Sequence, residues 1–278
     1  MKKISLVFLL IIPIFVFAQS GLNNDNKDLS NQVLHNTRLD KSSWKNAVLV
    51  GANFNFTSLI GADFTDAIIT KAEFGGSRFQ RGLNRLQLYS TKSYKDKNLE
   101  GVNFSVNDLQ HWDFSGQNLE NARFEWSVLR YCSFRNANLK GVSFYDENQG
   151  SASFYQADFT DAIISGAIFK NATHKSFTKE QLYSTKSYKD KDLRGLDFSY
   201  CSLIYWSFIK QDLRGANFKN ANLSGADFSF TNLEGANFEN ANLSGASFAF
   251  ANIDKANFKN TNTNQAIFTN LKINLSEE

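Results

Sequence analysis

The chain contains 278 residues, and its 30 Lys or Arg and 27 Asp or Glu residues give a formal net charge of +3 at pH 7. No run of basic residues is long enough to form a nucleic-acid-binding arm, and the charge balance excludes a strongly acidic protein. We therefore expect a folded chain with a nearly neutral surface.

Residues 1–18 have the organisation of a secretory signal peptide. Lys2 and Lys3 precede a mainly apolar run that ends at Ala18 and is short for a membrane-spanning helix. We expect cleavage after Ala18, which lowers the net charge from +3 to +1 and predicts a secreted or periplasmic protein without a transmembrane segment. An uncleaved membrane anchor is the alternative. Gln19 rather than a cysteine follows the cleavage point, so we expect no lipid anchor there.

Residues 19–38 are interpreted as an N-terminal segment or cap. Leu29, Leu34 and Leu39 are five residues apart, but the regular pattern is complete only from Leu39 onward. Because the end of a repeat array exposes pairing groups and core, we expect an irregular cap here.

From Leu39 onward, a large apolar residue recurs at every fifth position. Neither a helix of period 3.6 nor a strand of period 2 places every fifth residue on one side, so the chain must turn a corner every five residues. A small residue, usually alanine, stands two positions before the large one, as in Ala52 and Phe54. Both are expected to point inward, while Asn, Asp, Ser, Gly and Lys at the other positions suit tight turns.

A longer period of twenty residues sets the size of each coil. The run LRGANFKNANLSGADFSFTN at 213–232 is followed by LEGANFENANLSGASFAFAN at 233–252. Four pentapeptides therefore form one four-sided coil. Stacking at the strand spacing of roughly 4.8 Å predicts about ten coils.

The five-residue unit resembles the consensus A(D/N)LXX of the pentapeptide-repeat family, which ANLSG matches at 221–225 and again at 241–245. The resemblance covers nearly all of the mature chain. It implies an all-β fold, a right-handed quadrilateral β-helix. It is specific for the fold and says almost nothing about function, because the family has many different roles.

Some members of that family resemble B-DNA in shape and charge and bind DNA gyrase. Mimicry of DNA needs a strongly negative rod, whereas residues 193–273 carry seven basic and six acidic residues. Secretion would also separate this protein from cytoplasmic gyrase. A DNA-mimic gyrase binder is therefore a weak alternative, and nucleic acid is not an expected partner.

Two inserts interrupt the repeat and divide it into three blocks. We place the parts at 39–79 (block 1), 80–98 (insert 1), 99–173 (block 2), 174–192 (insert 2) and 193–273 (block 3), followed by a polar tail at 274–278. Both inserts contain LYSTKSYKDK, from Leu88 and again from Leu182, so a module of about 95 residues has duplicated.

Insert 2 begins with a capping box, in which Thr178 is the N-cap and Gln181 reaches back, and this predicts a short helix. In insert 1 the segment 82–86 replaces that signal, so its helix start is less clear. We expect each insert to leave the β-helix at a corner, form a turn or two of helix and return in register.

The basic and tyrosine residues of the inserts form the candidate interaction surface. They are Tyr89, Lys92, Tyr94, Lys95, Tyr183, Lys186, Tyr188 and Lys189. Charge and ring stacking could hold a glycan or an acidic polymer. The alternative is that these residues pack the inserts against the flank of the β-helix, and that recent duplication keeps the copies alike.

Four large or reactive side chains occupy positions normally filled by alanine. Trp112 and Trp206 are expected to cover the base of the inserts where the wall bends outward, and a ligand pocket between insert and coil is the alternative. Cys132 and Cys201 lie more than two coils apart, roughly 10–12 Å, which exceeds disulfide reach. We interpret them as buried small hydrophobic residues.

No constellation of residues indicates catalysis. His35, His111 and His174 fall in separate parts of the chain without metal-ligand spacing, and the aspartates occupy turn positions that asparagine fills equally well. We expect no enzyme activity, no metal and no cofactor. A secreted β-helical polysaccharide-active enzyme is a weak alternative, because short corners offer no cleft for paired acids.

The sequence therefore predicts a non-enzymatic structural or interaction module of the cell envelope or extracellular space. Its partner is an unknown protein or glycan. Phe230 and Phe250 stand at corner positions twenty residues apart, and we favour mutual packing over a partner strip. No capping helix follows the last coil, so its end either frays or forms a homodimer.

Overall fold

The computed structural model describes residues 21–76, 81–147 and 150–271. The expected signal peptide and the polar tail at 274–278 lie outside these residues. Within them, no helix is both long enough and apolar enough to cross a membrane.

The chain winds as a four-sided helix whose successive coils pair through single parallel bridges. Asn217 pairs with Asn237, and Asn237 pairs with Asn257, so one regular coil takes twenty residues. The chain turns at the second residue after each large one, where the backbone is left-handed. Gly225 and Asn220 at such corners have φ of 64° and 57°, and both residue types tolerate this conformation.

We number the four faces by their columns of bridged residues, in the order in which the chain passes through them. Representative residues are Ser133 and Asp227 (face 1), Asn118 and Asn232 (face 2), Asn103 and Asn237 (face 3), and Asp108, Val128 and Asn222 (face 4).

The large residues of the repeat fill the bore of the β-helix. Phe228 and Phe238 lie edge to face with ring centroids 5.6 Å apart, while Phe218 and Phe238 in successive coils are stacked at 5.1 Å. These are the preferred arrangements of aromatic pairs. Ala226 and Ala236 are fully buried beside them, which explains why a small residue precedes each large one.

The regular coil begins earlier than the sequence indicated. Bridges already join Asn23 to Ser43 and Asp28 to Val48, so residues 21–38 continue the ladder rather than form an irregular cap. The pattern is hidden in the sequence because Asn24 occupies the place of a large apolar residue and is 6% exposed. Backbone pairing maintains the register there, together with Leu29 and Leu34, which pack against the core.

Short elements interrupt the coils at three places. Insert 1 contains α1 (Arg85–Ser90) and α2 (Lys92–Lys95), and insert 2 contains α3 (Lys179–Ser184) and α4 (Lys186–Lys189), preceded by a 3-10 turn at Ala172–Lys175. Between them, strands β1 (Tyr145–Asp146) and β2 (Gly150–Ser151) pair as an antiparallel hairpin at the edge between faces 3 and 4.

Face 3 passes both inserts without a break. Glu73 pairs with Asn103 across insert 1, and Ile168 pairs with Asp197 across insert 2. Within the described ranges, the parallel bridges of the other three faces do not cross either insert. Face 3 is therefore a continuous spine, and each insert replaces part of the remaining wall.

Candidate functional site

Both inserts begin in the same way. Thr178 accepts from the N–H of Gln181, and the side chain of Gln181 accepts from the N–H of Thr178. Asn84 and Gln87 form the equivalent box in insert 1. The box in insert 1 was not predicted from the sequence, although asparagine is as good an N-cap as threonine.

The four tyrosines of the candidate interaction surface are bonded to the wall. Tyr89 and Tyr94 have ring centroids 4.4 Å apart. The Tyr94 hydroxyl donates to the carbonyl of Asp113 at 2.9 Å, and the N–H of Asp113 donates to the Tyr89 hydroxyl at 2.6 Å. The two hydroxyls thus take the place of the coil that insert 1 removes from face 1.

Insert 2 repeats this geometry. Tyr183 and Tyr188 are 4.5 Å apart, Tyr188 donates to the carbonyl of Ser207 at 2.9 Å, and the N–H of Ser207 donates to Tyr183 at 2.6 Å. Burial raises the pKa of each of these phenols, so they remain protonated at neutral pH.

The four lysines of the same surface are exposed and ion-paired. Lys92 lies 2.8 Å from Asp96, and its counterpart Lys186 lies 2.7 Å from Asp190. The other two reach back to face 1, where Lys95 pairs with Asp66 at 2.8 Å and Lys189 with Asp161 at 2.7 Å. Each basic group therefore already has an acidic partner on its own chain.

Other side chains of the inserts also replace ladder bonds. The hydroxyl of Ser93 accepts from the N–H of Ile69, and the amide of Gln87 donates to the carbonyls of Leu59 and Ala62. Ser187 and Gln181 make the matching bonds in insert 2. Closing the wall is thus a structural reason for the similarity of the two copies.

Both tryptophans at alanine positions lie beneath the inserts and are 7% exposed. Trp206 contacts Tyr183 and Phe177, each with ring centroids 6.4 Å away. The next small position holds Gln117 or Gln211, whose amide donates to the carbonyl of Tyr94 or Tyr188. The Trp206 indole therefore packs against the inner side of insert 2.

The described residues show little reactive chemistry. Burial raises the pKa of the Cys132 thiol to about 12 and that of Cys201 to about 11, and each thiol donates to a backbone carbonyl. Among these residues, no group of three or more His, Cys, Asp or Glu could hold a metal ion.

A different surface is distinguished by its exposed side chains, and sequence analysis did not identify it. Face 4 is flanked along both edges by large apolar residues, each at least 40% exposed. We call this surface the aromatic face. Its edge residues are Phe56, Trp126 and Tyr200 beside face 3, and Ile60, Tyr131, Tyr155, Ile204 and Tyr205 beside face 1.

Several of these rings occupy unfavourable backbone positions. Phe56, Trp126, Tyr131, Tyr200 and Tyr205 have φ between 54° and 60°. A bulky residue in this left-handed region costs about 1–2 kcal/mol, which glycine avoids. Other corners with positive φ use Gly, Asn, Lys and Asp, and Phe230 shows that an aromatic corner also occurs on another edge. The turn by itself therefore does not require an aromatic side chain at this face.

The bridged positions between the two rows are nearly uncharged. The bridged residues there include Ser58, Val128 and Ser153, with one carboxylate at Asp108. Face 2 carries more charge, because its bridged residues include Asp28, Asp192 and Asp212, and Asp212 pairs with Arg214 at 2.6 Å. The aromatic face thus combines exposed rings with a low density of charge.

This arrangement of stacked four-sided coils defines a β-helical repeat protein. A family model for pentapeptide repeats matches the chain in eight copies. The matched ranges include 28–66, 47–81, 108–144, 192–229, 221–260 and 231–270, which together span more than half of the chain. The chain belongs to the pentapeptide-repeat family. Its members fold as right-handed quadrilateral β-helices and are generally non-enzymatic structural or binding proteins.

Solved structures of the same kind cover most of the chain at low identity. HetL, involved in heterocyst differentiation regulation in the cyanobacterium Nostoc, is 18% identical over 93% of this chain and 92% of its own, with a TM-score of 0.30. QnrB1, a plasmid-mediated fluoroquinolone resistance protein, is 16% identical over 91% of each chain, with a TM-score of 0.31. No curated protein matches the chain significantly.

A third structure covers a smaller part. A pentapeptide repeat protein from the thylakoid lumen of Arabidopsis thaliana is 27% identical over 49% of this chain and 68% of its own, with a TM-score of 0.13.

Proposed function

We propose that this protein is a non-enzymatic protein-interaction module of the cell envelope, and that a partner protein docks on the aromatic face. The observation that carries the proposal is the pair of exposed aromatic and isoleucine rows along the edges of face 4. The signal-like segment 1–18 supports the envelope location.

The composition of the face favours a protein as the occupant. Cores of protein interfaces are enriched in Tyr, Trp, Phe and Arg and depleted in Lys, Glu and Asp. The rows contain the first three, and Arg130 lies 5.8 Å from the Tyr155 ring as a cation–π partner. We therefore expect the partner to present a flat, largely uncharged surface with apolar side chains.

The size of the face suits such a partner. From Phe56 to Tyr205 the rows extend over about seven coils, roughly 30 Å at the usual strand spacing, and the two inserts interrupt them between Ile60 and Trp126 and between Tyr155 and Tyr200. Each partner in a standard protein–protein interface buries about 800 Å² of surface. A face of that length is long enough to supply such an area.

The fixed positions of the exposed rings also support docking of a partner on this face. Rings such as Tyr205 lie directly against the next coil, where a Cβ added to Gly225 would come within 2.3 Å of a ring carbon. Tyr205 is nevertheless 78% exposed. A ring that is held in place before binding loses little conformational entropy when a partner covers it.

The inserts are the second candidate surface, for a glycan or an acidic polymer. Their lysines would have to leave acidic partners such as Asp96 and Asp190, and their tyrosine hydroxyls are engaged with the backbone. These contacts favour the aromatic face over the inserts.

The test uses site-specific photo-crosslinking in the producing cell. A photoreactive amino acid is placed at Val128 on face 4, at Asn232 on face 2, or at Lys92 in insert 1. We expect one discrete protein adduct from Val128 alone, which is then identified and rebound to the purified mature protein.

Binding by the purified pair is then measured for matched variants. Tyr131→Ser combined with Tyr205→Ser should weaken binding at least tenfold, whereas Phe230→Ser combined with Phe250→Ser, on the edge between faces 1 and 2, should leave it unchanged. Adducts from Lys92 alone, or equal loss in both double variants, would refute docking on the aromatic face.

A further inference from the structure

A cavity of about 270 Å³ opens between insert 1 and face 4. The segment that leads into α1 forms one wall, with Leu83, Asn84 and Arg85, and the coil that follows forms the other, with Asp108 and Trp112. The alternative given above for Trp112, a pocket between insert and coil, therefore has a geometric basis in the first copy.

The second copy fills the equivalent place with an aromatic ring. Phe177, which corresponds to Leu83, is 3% exposed and lies 5.4 Å from the Phe154 ring and 6.4 Å from the Trp206 ring. Ser202 corresponds to Asp108. The two inserts are nearly identical only from Gln87 and Gln181 onward, and they differ at every position from 80 to 86. Among these differences, the larger ring of Phe177 and the loss of the carboxylate at Ser202 distinguish an open first site from a closed second one.

The lining of the open site combines one indole with both signs of charge. The carboxylate of Asp108 accepts from the Gln110 amide at 3.0 and 3.1 Å, and Arg85 donates to the carbonyl of His111 at 3.4 Å. Among the described residues, neither Asp108 nor Arg85 has a salt-bridge partner. Both ions keep hydrogen-bonding capacity for a ligand.

A polyol matches this lining better than an ion of either sign. A hydroxyl group donates and accepts, so adjacent hydroxyls can donate to Asp108 and accept from Arg85 at the same time. The apolar face of a sugar ring can contact the small part of the Trp112 indole that lines the cavity. Because Asp108 and Arg85 carry opposite charges, a net charge on the ligand would gain attraction from one and repulsion from the other.

We infer that this cavity binds one neutral monosaccharide unit, either free or at the end of a glycan. Its volume lies just below the usual range for small-molecule sites, about 300–1,000 Å³, and therefore fits a single ring rather than a chain. The inference goes beyond the proposed docking function and does not depend on it.

The test follows the indole N–H signals of the mature protein by heteronuclear NMR while neutral sugars are added. Glucose, galactose, mannose, rhamnose and N-acetylglucosamine are the probes, and Trp112→Phe assigns the Trp112 signal. We expect at least one sugar to shift that signal with a dissociation constant on the order of 1 mM, as for a small polar ligand.

Two variants should weaken this binding at least tenfold. Leu83→Phe closes the cavity with the residue that the second copy tolerates, and Asp108→Ser removes the carboxylate. The matched control for the first is Leu86→Phe, because Leu86 lies on α1 and is 75% exposed. Circular dichroism confirms that each variant is folded.

The reciprocal change provides a gain of binding. Phe177→Leu combined with Ser202→Asp should open the second site, so that the same sugar shifts the Trp206 signal. The inference is overturned if no sugar shifts the Trp112 signal, if Leu83→Phe and Asp108→Ser bind as the unmodified protein does, or if only the zwitterion glycine or the anion acetate binds. None of these results would bear on docking at the aromatic face.

Discussion

At each insert, the hydroxyl groups of two tyrosines make the hydrogen bonds that the backbone of an uninterrupted coil would make. Tyr94 and Tyr89 satisfy the carbonyl and the N–H of Asp113, and Tyr188 and Tyr183 do the same for Ser207. A backbone group left without a partner at a partly buried wall would destabilise the fold. The tyrosines thus explain why the ladder can stop and start again on face 1.

Removing one of these hydroxyls should lower stability. We predict that Tyr188→Phe lowers the free energy of unfolding by about 1 kcal/mol, because the carbonyl of Ser207 loses its donor. Urea denaturation followed by circular dichroism measures the change. Tyr205→Phe is the control, since that ring is 78% exposed. Equal stability of Tyr188→Phe and the unmodified protein would contradict the structural role.

The two buried thiols should be unreactive in the folded protein. Burial raises the pKa of Cys132 from 9.0 to about 12 and that of Cys201 to about 11, so the reactive thiolates are scarce at pH 8. We expect slow reaction with a disulfide reagent in buffer and fast reaction in denaturant. Rapid modification of either cysteine in buffer would contradict this prediction.

The raised pKa values of the two thiols also determine whether stability rises or falls with pH. The folded pKa values lie above the unfolded value of 9.0, so the folded state retains protons that the unfolded state releases. The contribution of these thiols is complete below pH 9 and is lost as the pH rises toward about 12. The free energy of unfolding of the Cys132→Ala variant should therefore fall less between pH 9 and about 12 than that of the unmodified protein.

At the scale of elements, the short helices depend on local caps and on the spine. A helix of four to six residues is marginal by itself, so α1 to α4 need both capping and contact with the wall. The unbroken ladder of face 3 holds the coils on either side of each insert in register. Each insert can therefore replace part of the wall while the core residues on either side of it stay in register.

Loss of either capping box should destabilise the corresponding insert. We predict that Asn84→Ala and Thr178→Ala each lower the free energy of unfolding by about 1 kcal/mol, because each leaves a helix N–H without its acceptor. Asn84→Ser and Thr178→Ser keep an oxygen at the cap and should recover most of the loss. If the Ala and Ser variants unfold at the same urea concentration, the caps are not stabilising.

At the scale of the whole molecule, the C-terminal end of the rod differs from its middle. Phe248 is fully buried, whereas Phe268 in the last described coil is 38% exposed and Phe258 is only partly buried. An end that exposes core rings favours covering by another subunit.

We therefore predict self-association through the C-terminal coil. Light scattering after gel filtration should show a dimer whose fraction increases with protein concentration. Phe268→Glu should give a monomer, because a charge would be buried at the contact, whereas Phe230→Glu on a lateral edge should not. A purely monomeric protein at every concentration would exclude this interface.

Some of the functional surface could have been recognised from the sequence, and some could not. The capping box at Asn84 and Gln87 could have been predicted from the sequence, because asparagine is a favoured N-cap residue. The aromatic face needed the register, because Trp126 and Tyr200 share an edge only after the inserts and the hairpin are counted correctly. Paired residues on face 3 are thirty apart across insert 1 and twenty-nine across insert 2, as for Glu73 with Asn103 and Ile168 with Asp197.

The sequence by itself determined the coil. A large residue at every fifth position and a period of twenty leave one way to bury the phenylalanines, since helix and strand periods both fail. The tertiary structure decided which coils lie above one another around the inserts, and hence which exposed rings form a common face and where a cavity remains beside Trp112. These features arise from hydrogen bonds and contacts between distant residues, which a local pattern does not specify.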